Sequence, residues 1–224
     1  TPLNFTAGVN YTNSRARTGY NVLSNTLESV ALDATPITTP NGPIPALPVT
    51  VDGTTYRAGD AELQALAWRA KAWMAEYNAM STAPVAERHA KLAQIMAHVG
   101  EGAVIRPPFF CDYGMNIRLG AGVFLNFNCV LLDVVEISIG DLTQIGPGVQ
   151  ILTPDHPRGA EARREGLEFG RPIRIGANVW IGGGALLMPG VSVGDDAIIG
   201  AGRRPTADIV DHESHENRGL GASL

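Results

Sequence analysis

Five histidines occur in the 224 residues, and one of them, His156, stands in "TPDHPRG" at 153–159, a stretch unlike its surroundings. Pro154 and Pro157 flank it and stiffen the backbone. With an unperturbed pKa of about 6.5, histidine can take a proton from a weakly acidic group at neutral pH as a new bond forms. On these residues alone, a surface histidine in a polar loop is an equal reading. The other four are weaker candidates for a base. His89 falls on an apolar stripe, the place of a satisfied structural histidine. His98 falls at the end of a predicted helix, where it complements the dipole. His212 and His215 lie in a polar tail. Only His156 lies within the repeats described next, so three imidazoles do not converge on a metal and a metal-dependent hydratase is rejected.

The segment around this loop repeats with a period of six. Leu119, Leu125 and Leu131 are six apart. After a two-residue slip Ile139, Ile145 and Ile151 continue, and after the loop Ile175, Ile181, Leu187, Val193 and Ile199 resume the count. Two places before each stands a small or β-branched residue: Ile117, Val123, Cys129, Ile137, Thr143, Val149, Ile173, Val179, Ala185, Val191 and Ala197. Glycines follow many of the aliphatics: Gly120, Gly140, Gly146, Gly176, Gly182, Gly194 and Gly200. Units of one short strand and one turn, three to a coil of about 18 residues, build a triangular solenoid of stacked parallel strands. The aliphatics fill its axis, and the glycines are expected to relieve corners that need unusual φ/ψ. Cys111 and Cys129, one coil apart in this count, are expected to stack on adjacent rungs as buried, reduced thiols. Between Ile151 and Ile175 the period lapses; a solenoid tolerates insertions at its corners, and such loops commonly carry function.

Upstream the period is helical. Leu63, Leu66, Ala70, Trp73 and Tyr77 share one face with Asp60 as N-cap, and Leu66, Trp68 and Trp73 read as packing residues. A second helix is predicted from Pro84, with Val85, His89, Leu92, Ile95 and Val99 on one face and Gly100 as its stop. Residues 1–54 are poor in charge and rich in Thr, Asn and Pro. They read as an extended, partly disordered appendage with a hairpin at Asp52-Gly53. The expected organisation is this appendage over 1–54, a helical region over 55–100, a β-solenoid over 101–202 with its loop at 153–172, and an atypical, disordered tail over 203–224.

Composition narrows the partners. A net charge of −5 argues against nucleic acid. No apolar run reaches the roughly 18 residues of a membrane span, and the N-terminal residues lack the apolar core of a signal peptide. A cytoplasmic location is the expectation.

Four stretches carry a resemblance. "DYGMNIRLGAGVFLNFNCVLLD" (112–133), "IGPGVQILTPDHP" (145–157), "NVWIGGGALLMPGVSVGDDAIIGAG" (178–202) and "YRAGDAELQALAWRAKAWMAEYN" (56–78) are similar to the maltose, galactoside and nodulation-type sugar O-acetyltransferases of the hexapeptide-repeat acyltransferase family. The resemblance implies a mainly β fold, a left-handed parallel β-helix preceded by a short helical N-terminal region. It also implies acetyl transfer from acetyl-CoA to a hydroxyl of a sugar or sugar-like acceptor, with no metal required. The assembly it implies is a homotrimer with active sites between neighbouring subunits. Outward positions Phe124, Phe127, Val130, Leu132 and Trp180 would give the prism an apolar face suited to such an assembly.

On the family's motifs, His156 matches the catalytic histidine and Asn126 the active-site asparagine that binds the acceptor. Asp112 and Asp133 match positions that contact or frame the sugar, with solvated turn residues as the alternative. Gly183 falls where a backbone N–H meets the thioester region and can stabilise a developing oxyanion. Trp180, Ala185, Ala201, Gly202 and Thr206 match positions that line coenzyme A. The match falters at Gly202. Where the family continues S-V-V-T-K-D-I-P-P and then G-N-P-A, this chain reads "RRPTADIVDHESHENRGLGASL". Thr206, Asp208 and Ile209 fit, whereas Arg203, Arg204 and Pro205 replace the apolar strand and Ala207 replaces the lysine. Ala67, with Arg69 nearby, stands where members carry a second acceptor-binding arginine. The altered tail supports a second reading, a catalytically impaired trimeric β-helix protein with a binding or structural role.

Overall fold

The computed structural model describes residues 55–209 and the short strand Ser214–His215. The expected appendage over 1–54, with its hairpin, and residues 210–213 and 216–224 lie outside the described residues.

Helix α1 (Ala61–Ala79) starts at Asp60, whose carboxylate accepts from the Glu62 N–H at 2.9 Å. Leu63, Ala70, Trp73 and Tyr77 form its buried stripe. The Tyr77 hydroxyl donates to the Ile105 carbonyl (2.7 Å), and Asn78 bonds both the carbonyl (3.0 Å) and the N–H (2.8 Å) of Phe109. The helix is thus fastened to the first coil. Trp68 departs from the expected packing role: it is 38 % exposed, with the Lys71 ammonium over its ring.

Helix α2 (Val85–Leu92) is shorter than its apolar stripe suggested. The reason is tertiary. Ala97 and Gly100 donate their N–H groups to the Ile117 and Leu119 carbonyls, so the solenoid captures His98–Val99 as a strand. His98 therefore begins the β-helix rather than closing a helix. His89 is structural, with Nε2 3.0 Å from the Gly100 carbonyl.

Three parallel sheets form the faces of a prism. The first face stacks His98–Val99, Ile117–Leu119, Ile137–Ile139, Ile173–Ile175 and Ser192–Val193. The second stacks Val104–Ile105, Phe124–Leu125, Gln144–Ile145, Trp180–Ile181 and Ile198–Ile199, with Ser214–His215 beside the last. The third stacks Phe109–Cys111, Cys129–Leu132, Gln150–Leu152 and Leu186–Leu187. This is a left-handed parallel β-helix of about five turns. Every aliphatic of the six-residue count is at most 4 % exposed, and every residue two places before it at most 2 %. The period is the core.

Two details of the solenoid differ from expectation. Phe109 lies beside Cys129 and Cys111 beside Leu131, so the early coils are twenty residues long and the cysteines do not stack on each other. Both are buried free thiols. Later coils have eighteen residues, with Trp180 beside Ile198. The surplus sits at the edge between the third and first faces, in 112–116 and 133–136. The glycines following the aliphatics do not adopt left-handed φ. A Cβ on Gly140 would lie 2.5 Å from the Gly176 carbonyl carbon and 2.6 Å from the Ala177 nitrogen, so these residues are glycine because coils stack backbone on backbone. The left-handed position two residues further on is taken by Gly122, Leu142, Asn178 and Asp196.

Residues 203–209 keep to the solenoid, contrary to the expected disorder from Arg203 onward. The Arg203 carbonyl accepts from the Leu186 N–H (2.8 Å), and Asp208 Oδ1 accepts from the Ser192 N–H (2.8 Å). Ile209, 2 % exposed, continues the first face beside Val193.

Candidate active site

The edge that is two residues wider in the early coils opens completely in the third. The chain leaves it at Thr153 and returns at Arg171. Pro154–Asp155 pairs antiparallel with Leu167–Gly170, and Tyr56–Arg57 pairs with the other side of that strand. A short helix, α3 (Ala160–Arg164), turns the excursion back. Thr153 is buried and closes its base: Oγ1 donates to the Leu132 carbonyl (2.7 Å), and its carbonyl accepts from the Arg171 N–H (2.9 Å). His156 follows directly on this paired stem. It is exposed, and its imidazole makes no hydrogen bond among the described residues. Its peptide is held instead, the N–H donating to Asp155 Oδ1 (2.8 Å) and the carbonyl accepting from Arg158 Nη1 (2.9 Å).

Asp112 belongs to the same edge, one face of it half-buried. Burial, and then the negative charge of Glu168, push its carboxyl up to about 6. Glu168, on the returning strand, accepts from the Tyr56 hydroxyl at 2.9 Å. Burial raises the Tyr56 phenol, and the Glu168 hydrogen bond raises it further. Buried Tyr113, next to Asp112, is pushed up to about 12, chiefly by desolvation. Asp133 is a correction. Its carboxylate has no exposed surface and turns inward, accepting N–H bonds from Asp112 (3.1 Å), Tyr113 (2.9 Å) and Asn116 (3.1 Å). It shapes the turn that carries Asp112 and presents nothing to an acceptor. Burial pushes its carboxyl up to about 7 despite those backbone donors.

Thr206 follows the third-face position of Arg203 and precedes Ile209 on the first face, at the edge that carries the hairpin. Asn126, Gly183, Ala201 and Gly202 stand on another edge, between the second and third faces. Asn126 is half-buried there, with Oδ1 accepting from the Phe127 N–H (2.9 Å). Two and three coils further along the same edge lie Gly183 and the pair Ala201–Gly202. The Gly202 N–H donates to the Gly183 carbonyl (3.0 Å), while the N–H groups of Gly183 and Ala201 have no acceptor among the described residues. Trp180, on the second face, is 58 % exposed, and Thr206 is exposed. Ala185 is fully buried in the core and lines no surface with its side chain. Of the expected apolar face, Phe127 and Trp180 are exposed, together with Phe110 and Leu142. Phe124 is half-buried, with Arg106 over its ring (5.4 Å) and over Phe127 (4.9 Å). One prism therefore brings Asp112 and Glu168 to the His156 hairpin, and leaves Asn126, Trp180 and Gly183 apart from it.

Sequence reasoning passed over Tyr56, Asp155 and Glu168. Asp155 had a signal, an arginine three residues later in "DHPR". Tyr56 and Glu168 had none, because their pairing spans 112 residues.

Residues 51–100 match the family described as the maltose acetyltransferase hexapeptide capping motif, and residues 172–202 match the bacterial transferase hexapeptide (six repeats). The chain is 53 % identical over 140 residues to nodulation protein L of Rhizobium meliloti (strain 1021), which covers 62 % of this chain and 76 % of that protein. A solved maltose O-acetyltransferase from Clostridium difficile 630 is similar with a TM-score of 0.72 and 37 % identity, over 75 % of this chain and 90 % of the other. A galactoside acetyltransferase solved in complex with coenzyme A gives a TM-score of 0.72 and 34 % identity, over 77 % and 86 % of the two chains. Fold and repeats thus define an acyltransferase. Within that class, the chain belongs to the hexapeptide-repeat acetyltransferase family of the maltose, galactoside and nodulation type.

Proposed function

We propose that the protein is an acetyl-CoA-dependent O-acetyltransferase acting on a hydroxyl of a sugar or sugar-like acceptor, with His156 as general base. The observation that carries this reading is the placement of His156. Its ring is exposed and makes no hydrogen bond among the described residues while its backbone is fastened, on the edge that also holds Asp112 and Glu168. A sugar hydroxyl is too weakly acidic to ionise at neutral pH, so attack on a thioester needs a base that removes the proton as the bond forms. His156 takes that proton while the acceptor oxygen bonds to the acetyl carbon. The carbon–sulfur bond then breaks, and the imidazolium returns the proton to the departing thiolate. Asp112 and Asn126 orient the acceptor by hydrogen bonding its other hydroxyls.

Coenzyme A is the donor carrier that the solved galactoside acetyltransferase contains. The Gly183 N–H, free among the described residues, suits the carbonyl oxygen as it gains charge. Ala201 and Gly202 continue the same side of the groove, Thr206 lines it from the edge that carries the hairpin, and Trp180 supplies an apolar wall. Ala185 contributes only through its small size behind that wall.

The distribution of these groups over two edges supports a homotrimer, in which a neighbouring prism would bring Asn126, Trp180 and Gly183 to the His156 hairpin. The exposed Phe110, Phe127, Leu142 and Trp180 favour such contact. A cytoplasmic location suits an acetyl-CoA-dependent enzyme, and no helix among the described residues is long and apolar enough to cross a membrane.

Thiol release from acetyl-CoA across a panel of maltose, glucose, galactosides and chitooligosaccharides tests the activity. His156→Ala is expected to lower kcat by about 10²–10⁴-fold, the usual contribution of a general base, with little change in Tm. Near-wild-type turnover in that variant would remove His156 from the mechanism. Absence of release with every hydroxyl acceptor would favour the second reading, an impaired trimeric β-helix protein. Arg203, Arg204 and Pro205, in place of an apolar strand, support that alternative.

A further inference from the structure

We propose that Asp155 is a positioning residue for the reaction, whose carboxylate sets the direction in which the loop presents the His156 imidazole. The proposal rests on His156 being the base.

Three parts of the excursion meet at this one carboxylate. Oδ1 accepts from the His156 N–H (2.8 Å) and from Arg158 Nη1 (2.8 Å). Oδ2 accepts from Arg158 Nη2 (3.0 Å) and Arg171 Nη2 (3.4 Å). Arg158 Nη1 also donates to the His156 carbonyl (2.9 Å), so the histidine is gripped at both its peptide groups by a single ion pair. Arg171 connects the grip to the solenoid. Its guanidinium lies over the Phe169 ring at 5.5 Å, and Phe169 is the strand partner of Asp155. Its stem passes the corner of the next coil at Gly190, where a Cβ would come within 3.2 Å of it. Contacts therefore run without a gap from the His156 backbone to the packed core edge. Arg163 holds the far side, donating to the Pro157 (2.9 Å) and Arg158 (2.6 Å) carbonyls.

The chemistry of the pair fits orientation better than stability. The Asp155 side chain is only 15 % exposed while that of Arg158 is 79 % exposed, and ion pairs with so open a partner add little to folding. Burial would raise the Asp155 carboxyl, but the Arg158 and His156 donors and the charges of Arg158 and Arg171 outweigh it and hold the group below its ordinary value. It is thus ionised wherever a histidine base works. Asp155 does not touch the imidazole, so it acts through backbone geometry. That geometry matters because a reacting group displaced by about 1 Å can lose on the order of 10²-fold in rate.

The test is steady-state acetyl transfer, with the fastest acceptor of the sugar panel, by the wild type and four variants: His156→Ala, Asp155→Ala, Asp155→Asn and Arg171→Ala. Asp155→Ala is expected to lower kcat by about 10–100-fold, with KM for acetyl-CoA unchanged and Tm moved by less than about 4 °C. Asp155→Asn keeps an acceptor for the His156 N–H and is expected to restore most of kcat. Arg171→Ala leaves the carboxylate but frees it from the solenoid, and is expected to lower kcat severalfold. This last variant decides the matter should Asp155→Ala fail to fold. The proposal is overturned if Asp155→Ala turns over like the wild type while His156→Ala does not. It is equally overturned if the loss lies wholly in KM, if Asp155→Asn is as slow as Asp155→Ala, or if Arg171→Ala keeps wild-type kcat. An active His156→Ala overturns the reading of the base itself.

Discussion

At the scale of single residues, two aspartates one coil apart have opposite tasks. Asp112 faces Glu168 at the open edge, whereas Asp133 is sealed beneath it. The Asp133 carboxyl, pushed up to about 7 from an ordinary 3.8 by burial, favours its neutral form in the folded state. Stability from that preference is fully present below the unfolded value and is lost as pH rises from about 4 to about 7, because the fold then has to accommodate a buried charge. Asp112 shifts in the same direction, so the informative quantity is a difference between proteins. Urea denaturation of the wild type and Asp133→Asn across this range is expected to show the wild type losing stability relative to the variant as pH increases. Parallel pH profiles would refute the assignment. The motif that marked Asp133 as a sugar contact could not separate it from Asp112. The two differ only in which way a twenty-residue coil turns its corner, and that depends on three backbone N–H groups of the previous coil.

At the scale of the element, the coil was readable almost completely. A residue type recurring every six places requires an environment recurring every six places, and the buried positions follow the count without exception. The reason for the glycines was not readable, since left-handed backbone and close stacking select the same residue. Stability separates the two causes. Gly140→Ala pushes a methyl into the Gly176–Ala177 backbone and is expected to cost about 1–3 kcal/mol or more, as overpacking does. Leu142, exposed at φ 61, is the opposite case. Leu142→Gly is expected to gain about 1 kcal/mol by releasing left-handed strain. Chemical denaturation of both variants checks the pair, and a Gly140→Ala protein as stable as the wild type would contradict the stacking account. The short α2 was hidden for a different cause: its apolar stripe runs on to Val99, and only the hydrogen bonds offered by the next coil pull those last residues into a strand.

At the scale of the whole molecule, the His156 hairpin and the Gly183 edge are separated by the third face of the prism, so the proposed site needs a second copy to bring them together. Light scattering at micromolar concentration is expected to give three times the chain mass, and a stable monomer with full activity would refute the shared site. The latch between Thr153 and Arg171 has a consequence of another kind. Because the excursion closes on itself before the stack resumes, with Ile173 still beside Ile137, its length does not enter the phase of the coils. Doubling such a loop costs only about 0.6 kcal/mol in closure entropy. Between the latch residues, the stretch from His156 to Gly166 is in effect a cartridge. Inheritance or a protein engineer can lengthen or shorten it without shifting the register of the coils, provided the strand that pairs with Tyr56–Arg57 is kept.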